Sequence, residues 1–120
     1  MDKISLIVPC YNEEQALPFL YQEIIKLAKE MPEQEFEFIF INDGSKDKTL
    51  ELVKQLKQDD DRVHYVSFSR NFGKEAGIYA GLKAATGNYV SLLDADLQDP
   101  PSLVKEMYET LKVEDYDCVA

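Results

Sequence analysis

Residues 36–45 read FEFIFINDGS, an apolar run that changes abruptly into polar turn residues. Aromatic and β-branched residues favour strands, so the run Phe36–Asn42 predicts a buried strand. Asp43, Gly44 and Ser45 then form an ordinary turn sequence, in which glycine permits a tight change of direction. The stretch therefore predicts a strand of a packed sheet whose carboxyl end carries an acid.

The residues before this strand predict one more strand and one helix. Ile4–Pro9 (ISLIVP) is a short β-branched run typical of a buried strand. Between the two strands apolar side chains recur at helical spacing, and Pro18 is tolerated because it falls in the first turn. The apolar positions of this helix are Leu17, Leu20, Tyr21, Ile24, Ala28 and Met31.

The residues after residue 45 continue the alternation. Leu50, Val53 and Leu56 mark a helix that Ser45 or Asp47 is expected to cap. The other predicted elements are a strand at Val63–Ser67, a helix at Glu75–Ala85 stopped by Gly87, a strand at Tyr89–Asp94, a helix at Pro101–Lys112 and a strand beginning at Asp117–Ala120. The order βαβαβαβαβ predicts an α/β fold: a Rossmann-like, mostly parallel sheet with helices on both faces.

The composition indicates one soluble globular domain. A length of 120 residues suits a single core, and 45% hydrophobic with 30% charged residues is ordinary for such a domain. The balance of 13 basic and 23 acidic residues gives a net charge of -10. A surface this acidic repels the phosphates of nucleic acid and anionic lipid headgroups, which argues against both as partners of these residues.

Other features of the whole chain narrow the class further. No run approaches the roughly 18 apolar residues that a transmembrane helix needs, so none is predicted within this chain. The chain has two cysteines, Cys10 and Cys118, and one histidine, His64. These are too few for a disulfide framework or a Cys/His zinc site to be expected. Cys10 is interpreted as a small buried side chain, His64 as structural or exposed, and a reducing, cytoplasmic setting is expected.

Polar clusters follow each of the first four predicted strands. They are Tyr11–Glu14, Asp43–Ser45, Arg70-Asn71 and Asp94–Asp96. In open α/β sheets ligands bind beyond the carboxyl ends of the strands, so these clusters predict one site at one edge of the sheet. The turns at the opposite edge, including the acidic run Asp59-Asp60-Asp61, are interpreted as solvated.

Asp94 and Asp96 stand two residues apart at the end of an apolar strand. Two carboxylates there need a counter-charge, and Mg²⁺ or Mn²⁺ prefers oxygen ligands, usually one or two carboxylates together with substrate phosphates. The amide oxygen of Gln98 is a further candidate ligand. The alternative interpretation is structural, with Asp94 ending the strand and Asp96 beginning a solvated loop.

The remaining clusters suit a nucleotide. Asp43 is placed to accept a hydrogen bond from a nucleobase ring N–H, Tyr11 to stack on a base and Glu13 to bond a ribose. Arg70 and Lys74 are the main positive charges on this edge and suit a diphosphate or an anionic acceptor. The structural alternatives are a turn for Asp43, helix-dipole complementation for Glu13 and ordinary surface charge for the two cations.

Three glycines and several missing motifs complete the sequence evidence. Gly73, Gly77 and Gly81 recur every four residues and share one helix face, which predicts close approach of that helix to the sheet.

No GxxxxGK[ST] and no GxGxxG after the first strand are present, which argues against a P-loop NTPase and a dinucleotide-binding fold. A phosphohydrolase with an Asp nucleophile places DxD after its first strand, and a response-regulator-like domain has an Asp after its third. Here DxD follows the fourth strand, and the third ends in Ser69-Arg70.

Four stretches together resemble the family 2 glycosyltransferases with the GT-A fold. They are VPCYNEE (8–14), NDGSKDKT (42–49), SRNFGKEAG (69–77) and DADLQDPP (94–101), which stand in the family's order and spacing. Within the family the match is most similar to the polyisoprenyl-phosphate glycosyltransferases, which include the undecaprenyl-phosphate glucosyltransferases and the dolichol-phosphate mannose synthases. The stretches SRNFGKEAG and DLQDPP resemble the bacterial members of this group.

The resemblance implies a role for each matching residue. The nucleoside would be held by Pro9, Tyr11, Glu13, Asp43 and Ala95. Asp94 and Asp96 would bind the donor diphosphate through a divalent metal ion, with Gln98 as a further ligand. Arg70 and Lys74 would face the phosphates or the acceptor, and together with the two aspartates they are the predicted catalytic residues. The family's sheet order places strand four beside strand one.

The implied activity is metal-dependent, inverting sugar transfer from a nucleotide-sugar, expected to be a UDP-sugar, to polyisoprenyl phosphate for cell-envelope glycans. Family members are typically longer, so residues 1–120 are expected to be the nucleotide-sugar-binding portion of a protein that continues beyond this C-terminus. The parent is expected at the cytoplasmic face of the membrane. A saccharide hydroxyl acceptor and a non-catalytic nucleotide-binding fragment are the alternatives. The sugar and the oligomeric state, a homo-oligomer included, stay open.

Overall fold

Strands and helices alternate strictly along residues 2–93, which are the residues that the computed structural model describes. The elements are β1 (Lys3–Cys10), α1 (Leu17–Glu30), β2 (Glu35–Asp43), α2 (Thr49–Asp59), β3 (Val63–Phe68), α3 (Lys74–Ala84) and β4 (Tyr89–Leu92). The predicted α/β alternation is therefore confirmed over this range. The helix predicted at 101–112 and the strand predicted from 117 lie outside the described residues.

The four strands form one parallel sheet in the order β3-β2-β1-β4. β1 pairs with β2 from Lys3↔Glu35 to Cys10↔Asn42, and with β4 from Ile4↔Tyr89 onward. The chain thus builds outward from β1 to β3 and then returns to the other side of β1. The topological switch point, where ligands bind in open α/β sheets, lies between β1 and β4, as the resemblance implied.

Helices cover both faces of the sheet, as predicted. On one face α1 and α2 pack on the strands, and on the other face α3 covers a smaller cluster of isoleucines. The larger core includes Leu6, Val8, Leu20, Ile24, Phe38, Phe40 and Val53, and the smaller one is built on Ile7, Ile39 and Ile41. Because helices cover both faces of the sheet, the side chains of β2 are buried on both sides. The FEFIFIN run is therefore mostly apolar, without the alternation of apolar and polar residues that is typical of a half-exposed strand.

Two of the three spaced glycines let α3 approach the sheet closely. A Cβ atom on Gly81 would lie 2.4 Å from Cγ2 of Ile7, and one on Gly77 would lie 3.3 Å from Cγ2 of Ile41. The predicted close approach is therefore confirmed for these two positions. It is wrong for Gly73, which precedes α3 with a φ of 101° and would have nothing within 4 Å of an added Cβ.

The predicted helix boundaries need two corrections. The residue before α2 is Lys48, whose side chain makes no capping bond; Asp47 instead accepts the Thr49 N–H at 2.9 Å from one position further out. α3 ends at Ala84 and is followed by an extended Ala85, so Gly87 is not its stop. A Cβ on Gly87 would lie 2.7 Å from the carbonyl oxygen of Lys3, which shows that this glycine serves close packing against β1.

The acidic turn after α2 is only partly solvated. Asp59 and Asp61 are exposed, as predicted, but Asp60 receives two hydrogen bonds from the Arg62 guanidinium, at 3.0 and 2.9 Å. The Tyr21 hydroxyl donates to Asp60 at 2.9 Å and ties α1 to this turn. The bonds from Arg62 are the main reason that the pKa of Asp60 lies below its ordinary value. Asp60 is thus a structural residue and the solvated interpretation is wrong for it.

Candidate functional site

Three of the four predicted polar loops are held by hydrogen bonds at the carboxyl edge of the sheet, two of them to each other and the third to Asp43 at the end of β2. They are the β1–α1 loop (11–16), the β2–α2 loop (44–48) and the β3–α3 loop (69–73). The end of β4 reaches the same edge, because the Leu93 N–H bonds the Ile7 carbonyl at 2.9 Å. The predicted convergence on one edge is therefore confirmed for the loops within residues 2–93.

Asn12 links the first two loops through both its backbone and its side chain. Its N–H donates to Oγ of Ser45 at 3.0 Å, and its Oδ1 accepts the Lys46 N–H at 2.8 Å. Asn12 has a φ of 52°, in the left-handed region that asparagine tolerates better than most residues. This reciprocal pair fixes the β1–α1 loop, which carries Tyr11 and Glu13, against the β2–α2 loop.

A second set of bonds ties the same two loops at the start of α2. The Glu13 N–H donates to Oγ1 of Thr49 at 2.9 Å, and the Glu14 N–H donates to Oδ2 of Asp47 at 3.3 Å. Partial burial by itself raises the pKa of Asp47, but hydrogen bonds from Thr49 and Glu14 outweigh it and hold that pKa below its ordinary value. Asp47 is therefore an ionised structural acceptor at this edge.

Asp43 holds the third loop. The residue is 5% exposed, and its carboxylate accepts the Phe72 N–H on Oδ1 at 2.7 Å and the Gly73 N–H on Oδ2 at 3.0 Å. Gly44, at a φ of 70°, lies so close that an added Cβ would be 2.2 Å from the carbonyl carbon of Arg70. The β3–α3 loop is thus packed directly on the end of β2.

Two exposed cations, Arg70 and Lys74, and two exposed aromatic rings lie on this edge. The guanidinium carbon of Arg70 lies 4.7 Å from the centre of the Phe72 ring, which in turn packs edge-on against Phe68 at 5.5 Å. Phe72 is 51% exposed, and Tyr11, on the β1–α1 loop, is 42% exposed. Lys74 is exposed as the first residue of α3. A planar base and an anionic group are the ligands that such a surface suits.

The structure places the predicted nucleotide residues in different surroundings. Tyr11 and Glu13 lie on a loop at the carboxyl edge, whereas Asp43 is buried under one. Pro9 lies near the end of β1, half-buried, with its Cβ 4.0 Å from the Cβ position of Gly77 on α3.

The predicted metal site falls on residues that the structure does not describe. Asp94, Ala95, Asp96 and Gln98 all lie outside the range 2–93. Inside that range no group of three or more His, Cys, Asp or Glu side chains is arranged to hold a metal ion. The metal assignment therefore stays a prediction.

Sequence reasoning missed several polar residues that build the structure. Asn12 and Thr49 organise the loops at the carboxyl edge. The only sequence feature that could have predicted this role is their position among polar turn residues beside a predicted helix start. At the opposite edge Glu37, 5% exposed, accepts hydrogen bonds from Oγ of Ser5 and, at 2.8 Å, from the Thr86 N–H. A single charge inside the apolar FEFIFIN run was the available signal for it.

Cys10 and His64 are the cysteine and the histidine that lie within residues 2–93. Cys10 is buried, and burial above all, with the nearby charge of Glu13, raises the pKa of its thiol, so it stays protonated. His64 is half-exposed, with Nε2 4.0 Å from Oε1 of Glu37. Both agree with the predictions made for them.

The family follows from the sequence match. Residues 5–120 match the family model described as glycosyl transferase family 2. The chain belongs to glycosyl transferase family 2. It is 45% identical over 107 residues to the prophage bactoprenol glucosyl transferase homolog of Escherichia coli and, over the same length, to the bactoprenol glucosyl transferase of Shigella phage SfX. It is also 44% identical over 115 residues to the uncharacterized glycosyltransferase YkcC of Bacillus subtilis.

These alignments cover most of this chain but a minor part of its relatives. The two bactoprenol proteins match 89% of this chain and 35% of their own length, and YkcC matches 96% and 35%. The family 2 chain thus spans about a third of the length of the curated relatives it matches. None of the helices within residues 2–93 is long and apolar enough to cross a membrane.

Solved structures support the GT-A fold. A fragment of S. aureus TarS in complex with UDP superposes with a TM-score of 0.72 at 26% identity, covering 92% of this chain and 32% of that chain. The same TarS fragment was also solved in complex with UDP-GlcNAc, with a TM-score of 0.71. The predicted fold class is therefore confirmed, and the carboxyl edge described above belongs to a GT-A glycosyltransferase sheet.

Proposed function

We propose that this chain is the nucleotide-sugar-binding portion of a glycosyltransferase that moves a sugar from a UDP-sugar to a polyisoprenyl phosphate. The observation that carries the proposal is the set of three loops that hydrogen bonds hold, to each other or to the end of β2, at the carboxyl edge of a parallel sheet in a chain of glycosyl transferase family 2. A donor bound there would lie beside the switch point between β1 and β4.

The donor assignment rests on loop chemistry and on a structural neighbour. TarS is described in complex with UDP and with UDP-GlcNAc, and it is 26% identical to this chain over the aligned residues. Here Tyr11 offers an exposed ring for the base, and Glu13 offers a carboxylate to the ribose. Pro9, Asp43 and Ala95 complete the proposed nucleoside site.

A divalent cation, Mg²⁺ or Mn²⁺, fits the charge of this edge. Within residues 2–93 the three loops and their flanks carry Glu13, Glu14, Asp43 and Asp47 against Lys46, Lys48, Arg70 and Lys74, so these charges balance. Asp94 and Asp96 would add an excess of negative charge that a divalent cation neutralises. Asp94 and Asp96, with Gln98, are the proposed ligands, and they follow the end of β4 directly in sequence. When bound, the ion would neutralise charge on the leaving nucleoside diphosphate. Arg70 and Lys74 are the proposed protein cations for the same group or for the acceptor.

The acceptor assignment comes from relatives named as bactoprenol glucosyl transferases. A lipid phosphate has a second pKa of about 6 and is therefore largely ionised at neutral pH. It can attack the anomeric carbon from the face opposite the leaving group without a protein base, which inverts the configuration. A saccharide hydroxyl would instead need a carboxylate base. We also place the longer parent protein at the cytoplasmic face of the membrane, because its proposed acceptor is a lipid phosphate.

Calorimetry with UDP tests the proposal. We expect the 120-residue chain to bind UDP with Mg²⁺ about tenfold more tightly than without it, the effect of about 1.4 kcal/mol of added binding energy. Asp96→Ala should remove this metal-dependent gain, because one of two carboxylate ligands is lost. Asp61→Ala, which removes an exposed carboxylate at the other edge, should leave the gain intact.

The outcomes separate the parts of the proposal. An unchanged Mg²⁺ effect in Asp96→Ala would refute the assigned metal site. A wild-type chain that binds neither UDP nor GDP, with or without Mg²⁺, would refute the nucleotide-sugar assignment as a whole.

A further inference from the structure

We infer that Asn12 and Thr49 are positioning residues of the proposed nucleoside site, which hold the β1–α1 loop in the shape that presents Tyr11 and Glu13 to a ribonucleoside. The inference rests on the proposed function and deepens it. It makes the preference of the site for a ribose depend on two residues for which no contact with the ligand is proposed.

Three consecutive backbone N–H groups of the β1–α1 loop each donate to a side chain within residues 45–49. The three bonds run from Asn12 to Oγ of Ser45 at 3.0 Å, from Glu13 to Oγ1 of Thr49 at 2.9 Å and from Glu14 to Oδ2 of Asp47 at 3.3 Å. The side chain of Asn12 adds a fourth bond, because its Oδ1 accepts the Lys46 N–H at 2.8 Å. Four bonds over three consecutive residues leave the loop backbone little freedom to move against the β2–α2 loop.

The acceptors of these bonds are themselves fixed by the fold. Thr49 is fully buried, and its hydroxyl donates to Oδ1 of Asp47 while it accepts the Glu13 N–H. The N–H of Ser45 donates at 3.2 Å to Oδ1 of Asn42, which is 3% exposed at the end of β2. The shape of the β1–α1 loop is therefore set by β2 and by the start of α2, before any ligand binds.

These bonds also decide which groups of the loop a ligand can use. In dinucleotide-binding folds the first βα loop and the helix that follows it hold a pyrophosphate with backbone N–H groups. Here the N–H groups of residues 12–14 bond side chains, and those of Ala16 and Leu17 bond the Glu13 carbonyl at 3.1 and 3.0 Å. The loop therefore offers a ligand its side chains, the 42% exposed ring of Tyr11 and the carboxylate of Glu13, which suit a base and a ribose.

Binding of UDP and of its dideoxy analogue, in which both ribose hydroxyls are missing, tests the inference in the presence of Mg²⁺. We expect wild type to prefer UDP about tenfold, the effect of a hydrogen bond from a ribose hydroxyl to the Glu13 carboxylate. Thr49→Val keeps the shape of the side chain but removes the hydroxyl that accepts the Glu13 N–H, so it should reduce this preference to about twofold or less. Thr49→Ser keeps a hydroxyl and should retain the preference.

Asn12→Gly tests the same role at an exposed position. Glycine adopts the φ of 52° without strain, so this change removes the side-chain bond to the Lys46 N–H and keeps the backbone shape accessible. It should lower the preference for UDP over the dideoxy analogue about threefold, because the loop loses one of its four bonds. Neither Asn12→Gly nor Thr49→Val should lower the preference further in a Glu13→Ala background, since the group that they position is then absent.

Two measurements separate positioning from general damage to the fold. The gain in UDP affinity from Mg²⁺ should stay about tenfold in Thr49→Val and Asn12→Gly, because neither residue is a proposed metal ligand. In amide hydrogen exchange, the Glu13 N–H should exchange faster in Thr49→Val, whereas the Phe72 N–H, which donates to Asp43, should be unchanged.

The possible outcomes distinguish the inference from the proposed function. The positioning role is overturned if Thr49→Val and Asn12→Gly keep the wild-type preference, if they lower it further in the Glu13→Ala background, or if Thr49→Ser loses it as fully as Thr49→Val. A wild-type chain that binds UDP and the dideoxy analogue equally would instead refute the assignment of Glu13 to the ribose. A wild-type chain that binds no UDP would refute the proposed function.

Discussion

Replacing Gly44 with alanine is expected to lower the free energy of unfolding by about 3 kcal/mol, the sum of a left-handed backbone and an overpacked contact. The φ of this glycine is 70°, which an L-residue adopts at a cost of about 1–2 kcal/mol. Its added Cβ would lie 2.2 Å from the Arg70 carbonyl carbon and 2.3 Å from the Asn71 nitrogen. Both atoms belong to the backbone, so no side-chain rotation can relieve the contact.

Gly73→Ala is the matched control for the Gly44 prediction. Gly73 also has a positive φ, 101°, but an added Cβ there would meet nothing within 4 Å. It should therefore show the effect of backbone strain alone, about 1–3 kcal/mol. Urea unfolding of both variants measures the difference. Equal destabilisation by the two substitutions would show that the Gly44 contact with the β3–α3 loop contributes nothing.

Replacing Glu37 with alanine is expected to destabilise the fold by about 3 kcal/mol, because the buried Ser5 hydroxyl and the Thr86 N–H and hydroxyl lose their charged acceptor. The carboxylate is 5% exposed and accepts the Thr86 N–H at 2.8 Å, the Thr86 hydroxyl at 3.1 Å and the Ser5 hydroxyl. Ser5 is fully buried and accepts the Gly87 N–H at 2.9 Å, so the loss reaches the turn before β4. The ammonium of Lys3 lies 3.7 Å from Glu37.

Glu35→Ala is the control for the Glu37 prediction, since Glu35 lies on the same strand but is exposed. Surface substitutions of this kind change stability by about 0.5 kcal/mol or less. Chemical denaturation of the two variants at neutral pH makes the comparison. The structural role of Glu37 is disproved if its replacement is as mild as that of Glu35.

The same carboxylate predicts a pH dependence. Burial by itself raises the pKa of Glu37, but hydrogen bonds from Ser5 and Thr86, with the charge of Lys3, outweigh it and bring that pKa below its ordinary value. A lowered pKa in the folded state means stability that is present above the unfolded pKa of about 4.3 and is lost as pH falls through the folded value. Glu37→Gln removes this titration. We therefore expect the stability difference between wild type and Glu37→Gln to shrink below about pH 4, the region of these two pKa values.

The elements of the fold could be predicted from local patterns. The FEFIFIN run predicted a buried strand, and every position of β2 from Phe36 to Asp43 is buried between α1 and α2 on one face and α3 on the other. Glycine spacing likewise predicted the close approach of Gly77 and Gly81. These features depend on the size and apolarity of individual side chains, which are the same whatever fold the chain adopts.

Hydrogen-bond partners could not be predicted in the same way. Asp43 was assigned to a ligand, yet its two oxygens accept N–H groups 29 and 30 residues further along the chain. Ser45 was expected to cap the helix that follows it and instead accepts the N–H of Asn12. A short polar side chain has many nearby partners in sequence, and only the packing of distant loops decides which of them it meets.

Local sequence patterns were enough to predict the alternation of strands and helices, the helices on both faces of the sheet and the carboxyl edge as the place for polar chemistry. Those properties follow from apolar periodicity and from the direction of parallel strands. The folded chain was needed to show that Asp43 holds the β3–α3 loop, that Gly87 packs against β1 and that Glu37 accepts hydrogen bonds at the opposite edge. Each of these depends on contacts between residues far apart in sequence, whose distances are set when the strands pair and the loops meet.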